Sequence, residues 1–233
     1  MDWYKDSLLC LREAEENIAK IETLEIRSIY DTGLIEQCKP KIKNCLENCR
    51  SPLDYAANYL FDTYCRKNYD THQLKKTRVY YPIYYKNSNF DNGIKTKFNG
   101  LSKEKSDILK IIKKTQPFNN HEQWLHYLFS LVNENKHSKL TFSNTEKHIN
   151  IKKLTLPTGQ SFSNITIVNA KSPLIYNGKS YDLINDFPPG DTSDEVSSKN
   201  KIYFHDLGLP VVDTLKDIGI NVSKTIYKIK ELT

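Results

Sequence analysis

Apolar residues recur at steps of three and four along most of the chain, which is the spacing of amphipathic helices. The pattern predicts one long helix over residues 3–28 and a second over 34–65, separated by a break at Gly33. Pro52 follows Ser51, a good N-cap residue, so the second helix either kinks there or restarts with proline at its first position. The short connection predicts that the two helices are antiparallel neighbours.

The middle of the chain alternates between irregular and helical patterns. Residues 79–85, VYYPIYY, favour β-structure, although Pro82 restricts them to an edge or irregular strand. The stretch 88-SNFDNG-93 has the composition of a turn. A helix is then predicted from an N-cap at Ser102 to Lys114, and a further helix follows, capped by Asn119 or Asn120.

Beyond residue 140 the apolar period falls to two, which is typical of short strands. A hairpin is predicted through Asn177-Gly178. Residues 186–200 are rich in Pro, Ser and Asp and are expected to form a mobile loop, and a last strand follows. Helical spacing returns from Pro210 to the end of the chain.

The predicted fold class is therefore mainly α. We expect one domain over residues 1–233, built as an antiparallel helical bundle, with a small antiparallel β-rich insertion at about 140–205 before the C-terminal helix.

Composition limits the function only loosely. The net charge of +6 permits a nucleic-acid partner without requiring one. The five cysteines include no Cys-x-x-Cys pair, which favours reduced core thiols over metal ligands, and no cofactor is expected. Acidic residues near the N-terminus do not fit a secretory signal, and no apolar run approaches the ~20 residues of a membrane span. We expect a cytoplasmic protein.

A polar cluster, 133-NENKH-137, follows the apolar run of the helix before it. Lys136 next to His137 favours a neutral imidazole near pH 7, which can act as a general base. The same residues also suit a plain helix C-terminus, where Lys and His interact favourably with the helix dipole. Spacing alone favours the plain helix end.

Two further groups carry candidate chemistry. Arg50 and Asp54 are four residues apart on an otherwise apolar helix, so an ion pair is possible, and burial of either charge alone would be costly. Arg66 and His72 have a spacing that a metal-independent ribonuclease can use, with His accepting the 2′-hydroxyl proton and Arg stabilising the phosphate. The lysine-rich stretch 95–114 can neutralise phosphates. Each group also fits an ordinary solvated or structural role.

Signatures of the commoner chemistries are missing. The sequence contains no P-loop, no dinucleotide-binding glycine fingerprint, no Gly-x-Ser-x-Gly elbow and no His-Glu-x-x-His.

Three ordered stretches resemble a family of mostly uncharacterised bacterial and phage proteins related to the HEPN superfamily. They are 46-LENCRSPLDYAANYL-60, then 81-YPIYY-85 with 101-LSKEKSDILKIIKKTQPF-118, and 124-WLHYLFSLVNENKHSKL-140. They are similar to an LRSxLDxxA block, an FPI…QPY block and an NxxDKH block. The resemblance covers about residues 40 to 140, and its specificity comes from the order of the three.

The resemblance implies a helical bundle and, in active members, metal-independent RNA cleavage by an Arg-x(4–6)-His motif, often as a dimer, in toxin–antitoxin or phage-defence systems. On this reading His137 is the acid–base group, Lys136 or Arg50 contacts phosphate, and Asn133 and Asp54 orient them. The expected partners are RNA, a second copy of the chain and an antitoxin.

This chain departs from that pattern. It has Asn135 where the relatives have Asp, and it lacks an Arg at the expected place before His137. Only Arg66 and His72 satisfy the nuclease spacing, in a different segment. The alternative is a non-catalytic helical interaction module, in which the same polar residues join helices together.

Overall fold

A computed structural model of the protein describes residues 2–119, 123–137, 142–155, 158–169, 174–176, 178–181 and 192–233. Within these ranges the chain is mainly helical, and a three-stranded antiparallel sheet precedes the C-terminal helix. The predicted fold class, mainly α with a small antiparallel β insertion, is confirmed at that level. No helix of the described ranges is both long enough and apolar enough to cross a membrane.

The α-helices are α1 (Trp3–Arg27), α2 (Cys38–Leu60), α3 (Thr71–Lys76), α4 (Asn87–Lys97), α5 (Leu101–Glu104), α6 (Ser106–Lys114), α7 (Trp124–His137) and α8 (Val211–Glu231). The strands are β1 (Phe142–Thr155), β2 (Ser161–Val168), β3 (Leu174–Tyr176), β4 (Lys179–Tyr181) and β5 (Thr192–Phe204). Short 3₁₀ turns occupy Thr32–Ile35 and Arg66–Asn68, and a π-helical turn occupies Phe61–Cys65.

The chain divides into two compact units that are not continuous in sequence. Unit 1 consists of Met1–Ala19, Pro40–Leu140 and Val212–Thr233, and unit 2 consists of Lys20–Lys39 and Thr141–Val211. Helix α1 therefore contributes its first part to unit 1 and its last part to unit 2. The expectation of one domain over residues 1–233 stays a prediction.

The core of unit 1 is built from the apolar faces of its helices. Because apolar residues three and four apart lie on one helix face, each helix buries a continuous stripe. Full burial of one Leu or Ile side chain contributes about 1.5–3 kcal/mol. The fully buried residues include Ile42, Leu46, Leu53 and Leu60 of α2, Ile108 of α6, Leu125 and Leu128 of α7, and Leu215, Ile218 and Val222 of α8.

Helix α2 runs through Pro52 without ending, so the restart that its sequence allowed does not occur. Pro52 removes one backbone donor from the helix. At the preceding residue, the hydroxyl of Ser51 donates to the carbonyl of Glu47 at 2.9 Å. After Leu60 the helix widens into the π-helical turn, where the Phe61 ring packs 5.2 Å from the ring of Tyr69. The helix predicted over 34–65 is thus confirmed for Cys38–Leu60 and wrong at both ends, where the chain forms the 3₁₀ turn Thr32–Ile35 and the π-helical turn.

Three predictions for the middle segment are wrong. Residues 88–93 lie inside α4 and not in a turn, because Phe90 and Ile94 are buried one turn apart and Phe90 packs 6.0 Å from the ring of Phe118. The helix expected over 102–114 is interrupted at Lys105, and its N-cap is Gly100, which adopts a φ of 97°. A left-handed N-cap of this kind favours glycine, because glycine carries no Cβ.

The third wrong prediction concerns residues 79–85, which form no strand within the described chain. Residues 77–84 have no regular secondary structure. Pro82 lacks a backbone donor and cannot complete a ladder, and the neighbouring backbone N–H groups bond instead to side chains of α2 and of the segment just after α6.

The sheet of unit 2 has the order β2-β1-β5 with antiparallel pairing throughout. Ile149 and Ile151 of β1 are opposite Ile167 and Ile165 of β2, and together with Leu154 they form a small apolar cluster. Residues 192–200 belong to β5, so the loop predicted over 186–200 is wrong for that part; the rest of that loop lies outside the described residues.

Two polar side chains, one in the last part of α1 and one just after its end, bond to strand β5 in unit 2. The fully buried carboxylate of Glu25 accepts a hydrogen bond from the backbone N–H of Ile202 at 3.0 Å. Three residues later, the Ser28 hydroxyl accepts from the Asn200 amide at 2.9 Å. Buried polar groups require such partners, so the end of α1 has a fixed register against β5 in this unit. Strands β3 and β4 pair next to Gly178, as the hairpin prediction required.

Candidate functional site

The ion pair that the spacing on α2 makes possible is present. The Nε atom of Arg50 donates to Oδ2 of Asp54 at 3.1 Å, and only 13% and 21% of the two side chains are exposed. The second oxygen, Oδ1, accepts the backbone N–H of Tyr81 at 2.8 Å. One carboxylate therefore joins a helix to the irregular segment that follows in the same unit, and both of its oxygens have donors.

Arg50 also lines a cavity of about 190 Å³ in unit 1. Three cations from separate segments contribute to its wall, Arg50 from α2, Arg78 from the irregular segment and Lys97 from the end of α4. No carboxylate belongs to the wall as far as the structure describes it. The aromatic residues of the wall are Tyr80, Tyr81, Tyr84, Phe98 and Phe129.

Side chains just after the end of α6 position the irregular segment that forms much of this wall. The amide of Gln116, which is fully buried, donates to the carbonyl of Pro82 at 3.0 Å and accepts the N–H of Tyr84 at 2.9 Å. The hydroxyls of Tyr81 and Thr115 share a hydrogen bond of 2.9 Å. These bonds satisfy backbone groups that a sheet would otherwise pair, which is why the segment can be buried without being a strand.

The aromatic rings are neutral packing and stacking surfaces. Burial raises the pKa of Tyr81, an effect only partly offset by the hydrogen bond with Thr115, and burial raises the pKa of Tyr84 as well. Both phenols are therefore uncharged near neutral pH. The guanidinium carbon of Arg50 lies 5.6 Å from the ring centre of Phe129, a cation–π distance.

The other two cations of the wall differ from Arg50. Arg78 and Lys97 are exposed, and neither has an ion pair with any residue that the structure describes. Charges of this kind are available to a bound anion without first breaking an internal contact.

His126 of α7, one turn before the wall residue Phe129, is a polar residue that the sequence did not single out. Its Nδ1 atom lies 3.0 Å from the hydroxyl of Tyr85, and the two rings meet edge to face at 5.5 Å. His126 precedes Phe129 by one turn and Asn133 by two, so the three share one face of α7. A half-buried histidine with a phenol partner can transfer a proton.

The predicted cluster at the end of α7 is only partly described. The helix continues to His137, and Asn133 and Glu134 are half-buried. The side chains of Lys136 and His137 lie outside the described residues. Their predicted placement beside Arg50 and Asp54 therefore stays a prediction.

The alternative pair, Arg66 and His72, lies on the surface. Arg66 donates to Asp62 at 2.7 Å, and both side chains are 58% exposed. His72 is exposed in the first turn of α3. Each has an ordinary helix-surface setting, and the role of the pair in cleavage stays a prediction.

The cysteines form no bridges, as the sequence predicts. Cys38, Cys45, Cys49 and Cys65 are buried and reduced. Burial raises the pKa of the Cys65 thiol to about 11, so this group is neutral and weakly nucleophilic at pH 7. Among the residues with described positions, no group of His, Cys, Asp and Glu has the arrangement of a metal site.

Comparison of the chain with protein-family models, with curated proteins and with solved structures finds no match.

Sequence reasoning found Arg50 and Asp54 and missed most of the cavity wall. Arg78, Lys97 and Phe129 come from three distant segments, and only folding brings them to one cavity. One signal was present in the sequence, since Arg78 immediately precedes the densest aromatic run of the chain. Interleaved cations and aromatics are typical of nucleic-acid contact surfaces.

Proposed function

We propose that the protein is a HEPN-like helical protein that binds single-stranded RNA, with one nucleotide in the cavity of Arg50, Arg78 and Lys97. The observation that supports this most directly is the composition of the wall, in which three cations and five aromatic rings occur without a carboxylate among the described lining residues.

The chemistry of a nucleotide fits this wall. A base stacks on an aromatic side chain with a contribution of about 1–3 kcal/mol, largely independent of sequence. The phosphates require cations, and Arg78 and Lys97 are available for them. Arg50 donates through Nε to Asp54, and its remaining guanidinium donors can bind a phosphate.

Binding is tested with a fluorescently labelled single-stranded oligoribonucleotide and anisotropy. We expect Arg78→Gln and Lys97→Gln each to raise Kd several-fold and to reduce the slope of log Kd against log salt by about 0.7, the value for one lost phosphate contact on a single strand. Lys43→Gln removes one cation from an exposed position of α2 outside the cavity and is the matched control. Equal effects of all three substitutions would contradict the proposed pocket.

The proposal includes RNA cleavage without a metal ion, in a defence or toxin–antitoxin setting. His137 is the proposed acid–base group, with Lys136 as phosphate contact and Asn133 as the orienting group. Incubation of RNA with the wild type and His137→Ala in EDTA tests the step, and His126→Ala tests whether the histidine one turn before Phe129 acts instead. Equal cleavage by all three proteins, or by none, would remove the catalytic part and leave the binding part standing.

A non-catalytic interaction module is the second candidate. It is favoured by the double use of the Asp54 carboxylate and by the buried Gln116 amide, which are contacts that stabilise a fold whether or not a ligand binds. This candidate predicts that Arg78→Gln and Lys97→Gln leave the Kd for RNA unchanged.

A further inference from the structure

A second cavity of unit 1, of about 230 Å³, has a different character. Lys114 at the end of α6 faces it together with Lys224 and Lys228 of α8, and Trp124 at the start of α7 forms part of its wall. Asn221 and Thr115 also line it. No carboxylate occurs among the lining residues of the described chain. The cavity is several times larger than the ~30 Å³ that one water occupies in the liquid, so it can admit a small oxyanion.

The three lysines differ from neighbouring lysines on the same helices. Lys110 pairs with Asp107 at 2.7 Å, Lys113 pairs with Asp91 at 3.1 Å, and the amine of Lys230 lies 5.8 Å from the ring centre of Tyr4. By contrast, the structure shows no ion pair or hydrogen bond from the amines of the three cavity lysines to any residue that it describes.

Three like charges at one cavity are unfavourable by themselves. Lys224 and Lys228 are four residues apart on α8, a spacing at which like charges destabilise a helix. Lys114 adds a third charge from another helix. The negative ends of the α6 and α8 dipoles offset part of this charge, but the excess remains positive, and a bound anion would relieve the repulsion.

The surrounding polar groups do not cancel the charge. Asp217 lies one turn before Asn221 on α8. Its carboxylate accepts a hydrogen bond from the Asn221 amide at 2.9 Å. The hydroxyl of Thr115 donates to the carbonyl of Ile112 and shares its other hydrogen bond with Tyr81. The lysine amines are thus the groups left to bind a ligand, and lysine is a common phosphate contact.

We propose that this cavity, the lysine cleft, binds a phosphate group. The inference goes beyond the proposed RNA function and does not depend on it, because the cleft shares no lining residue with the cavity of Arg50, Arg78 and Lys97, the aromatic cavity. Two sources share this chemistry, namely free inorganic phosphate and the terminal phosphate of an oligonucleotide.

The experiment uses the full chain with Trp3→Phe, which leaves Trp124 as the sole tryptophan because the sequence has two. Inorganic phosphate is titrated at constant ionic strength against chloride, and both Trp124 emission and the phosphorus NMR line width of the ligand are followed. We expect saturable binding that weakens about tenfold or more when Lys224→Gln and Lys228→Gln are combined, because two charge-assisted contacts are lost.

A matched control carries Lys43→Gln and Lys75→Gln, which remove the same charge from exposed positions that line neither cavity. Circular dichroism confirms the fold of each variant, and Lys224→Gln alone replaces the double variant if that one unfolds. Non-saturable broadening, or equal affinity in cleft and control variants, would overturn the proposal.

The two sources are separated by competition. An oligoribonucleotide with a 5′-phosphate displaces inorganic phosphate if the cleft takes the end of RNA, and the 5′-hydroxyl form does not. If neither oligoribonucleotide displaces inorganic phosphate and phosphate binding is still saturable, the ligand of the cleft is free phosphate. The effect of Arg78→Gln on RNA affinity is measured separately from phosphate binding. The RNA proposal and the phosphate proposal can therefore fail independently of each other.

Discussion

At the scale of single residues, the two Arg–Asp pairs near the end of α2 show how burial changes the value of the same contact. Arg50–Asp54 and Arg66–Asp62 both join residues four apart. The first is mostly buried and its carboxylate also accepts a backbone N–H, whereas the second is 58% exposed on both sides. An exposed ion pair contributes about 0–1 kcal/mol, while removal of a buried partner leaves polar groups unsatisfied.

We expect Asp54→Ala to lower the free energy of unfolding by about 1–3 kcal/mol, because it leaves the N–H of Tyr81 and the Arg50 guanidinium without their acceptor. Asp62→Ala, the matched control, is expected to change it by less than about 1 kcal/mol. Urea unfolding followed by circular dichroism measures both. Equal losses in the two variants would show that the buried carboxylate has no special structural role.

At the scale of elements, the sequence predicts best the helices whose apolar stripe is long. Helices α1 and α8 follow from periodicity alone, since their buried residues repeat over five or more turns. Helix α4 does not, because Asn, Asp and Gly dominate its sequence and only packing against Phe118 and Tyr84 favours helix. Strand β5 likewise has a polar sequence and forms by pairing with β1. Both errors have one cause: tertiary contacts override local propensity.

Two glycines within helices allow the effect of helix propensity to be measured apart from the effect of packing. A Cβ on Gly93 of α4 would lie 2.0 Å from the hydroxyl of Tyr84, whereas a Cβ on Gly219 of α8 would meet nothing within 4 Å. We expect Gly219→Ala to stabilise the protein by about 0.5–1 kcal/mol, the usual gain of Ala over Gly within a helix. Gly93→Ala should lose that gain and weaken RNA binding, because Tyr84 must leave its place in the cavity wall. Thermal unfolding and anisotropy measure the two effects, and the same shift in both variants would contradict the packing argument.

At the scale of the whole molecule, the charge distribution matters more than the net charge of +6. The aromatic cavity and the lysine cleft gather cations from separate segments, and neither could be located from the sequence, since the first joins Arg50 to Phe129 and the second joins Lys114 to Lys228. The Arg50–Asp54 pair could be located, because its two residues are neighbours on one helix. Local pairs are visible in a sequence, and cavities assembled by folding are not.

Acid is expected to destabilise the folded chain. Hydrogen bonds from Lys67, Lys110 and Tyr203 hold the pKa values of Glu104, Asp107 and Glu146 below their ordinary values. A carboxyl with a lowered folded pKa stabilises the fold above its unfolded pKa, and that contribution disappears as the pH falls through the folded value. Urea midpoints measured from pH 7 to pH 3 should therefore decrease below about pH 4.5. A midpoint that is constant or rises toward pH 3 would contradict this expectation.

Unit 1 is assembled from separate segments of the chain, so its helices are synthesised at different times. Its last helix, α8, buries apolar residues in the same unit as α2, α6 and α7, yet the second segment of unit 2, from Thr141 to Val211, lies between them in the sequence. On a ribosome that adds about 5–20 residues per second, the earlier helices wait on the order of ten seconds for that partner. During this interval their apolar faces are open to solvent and to other nascent chains. The protein therefore has a period during synthesis in which chaperone capture competes with aggregation, and it ends only when α8 emerges.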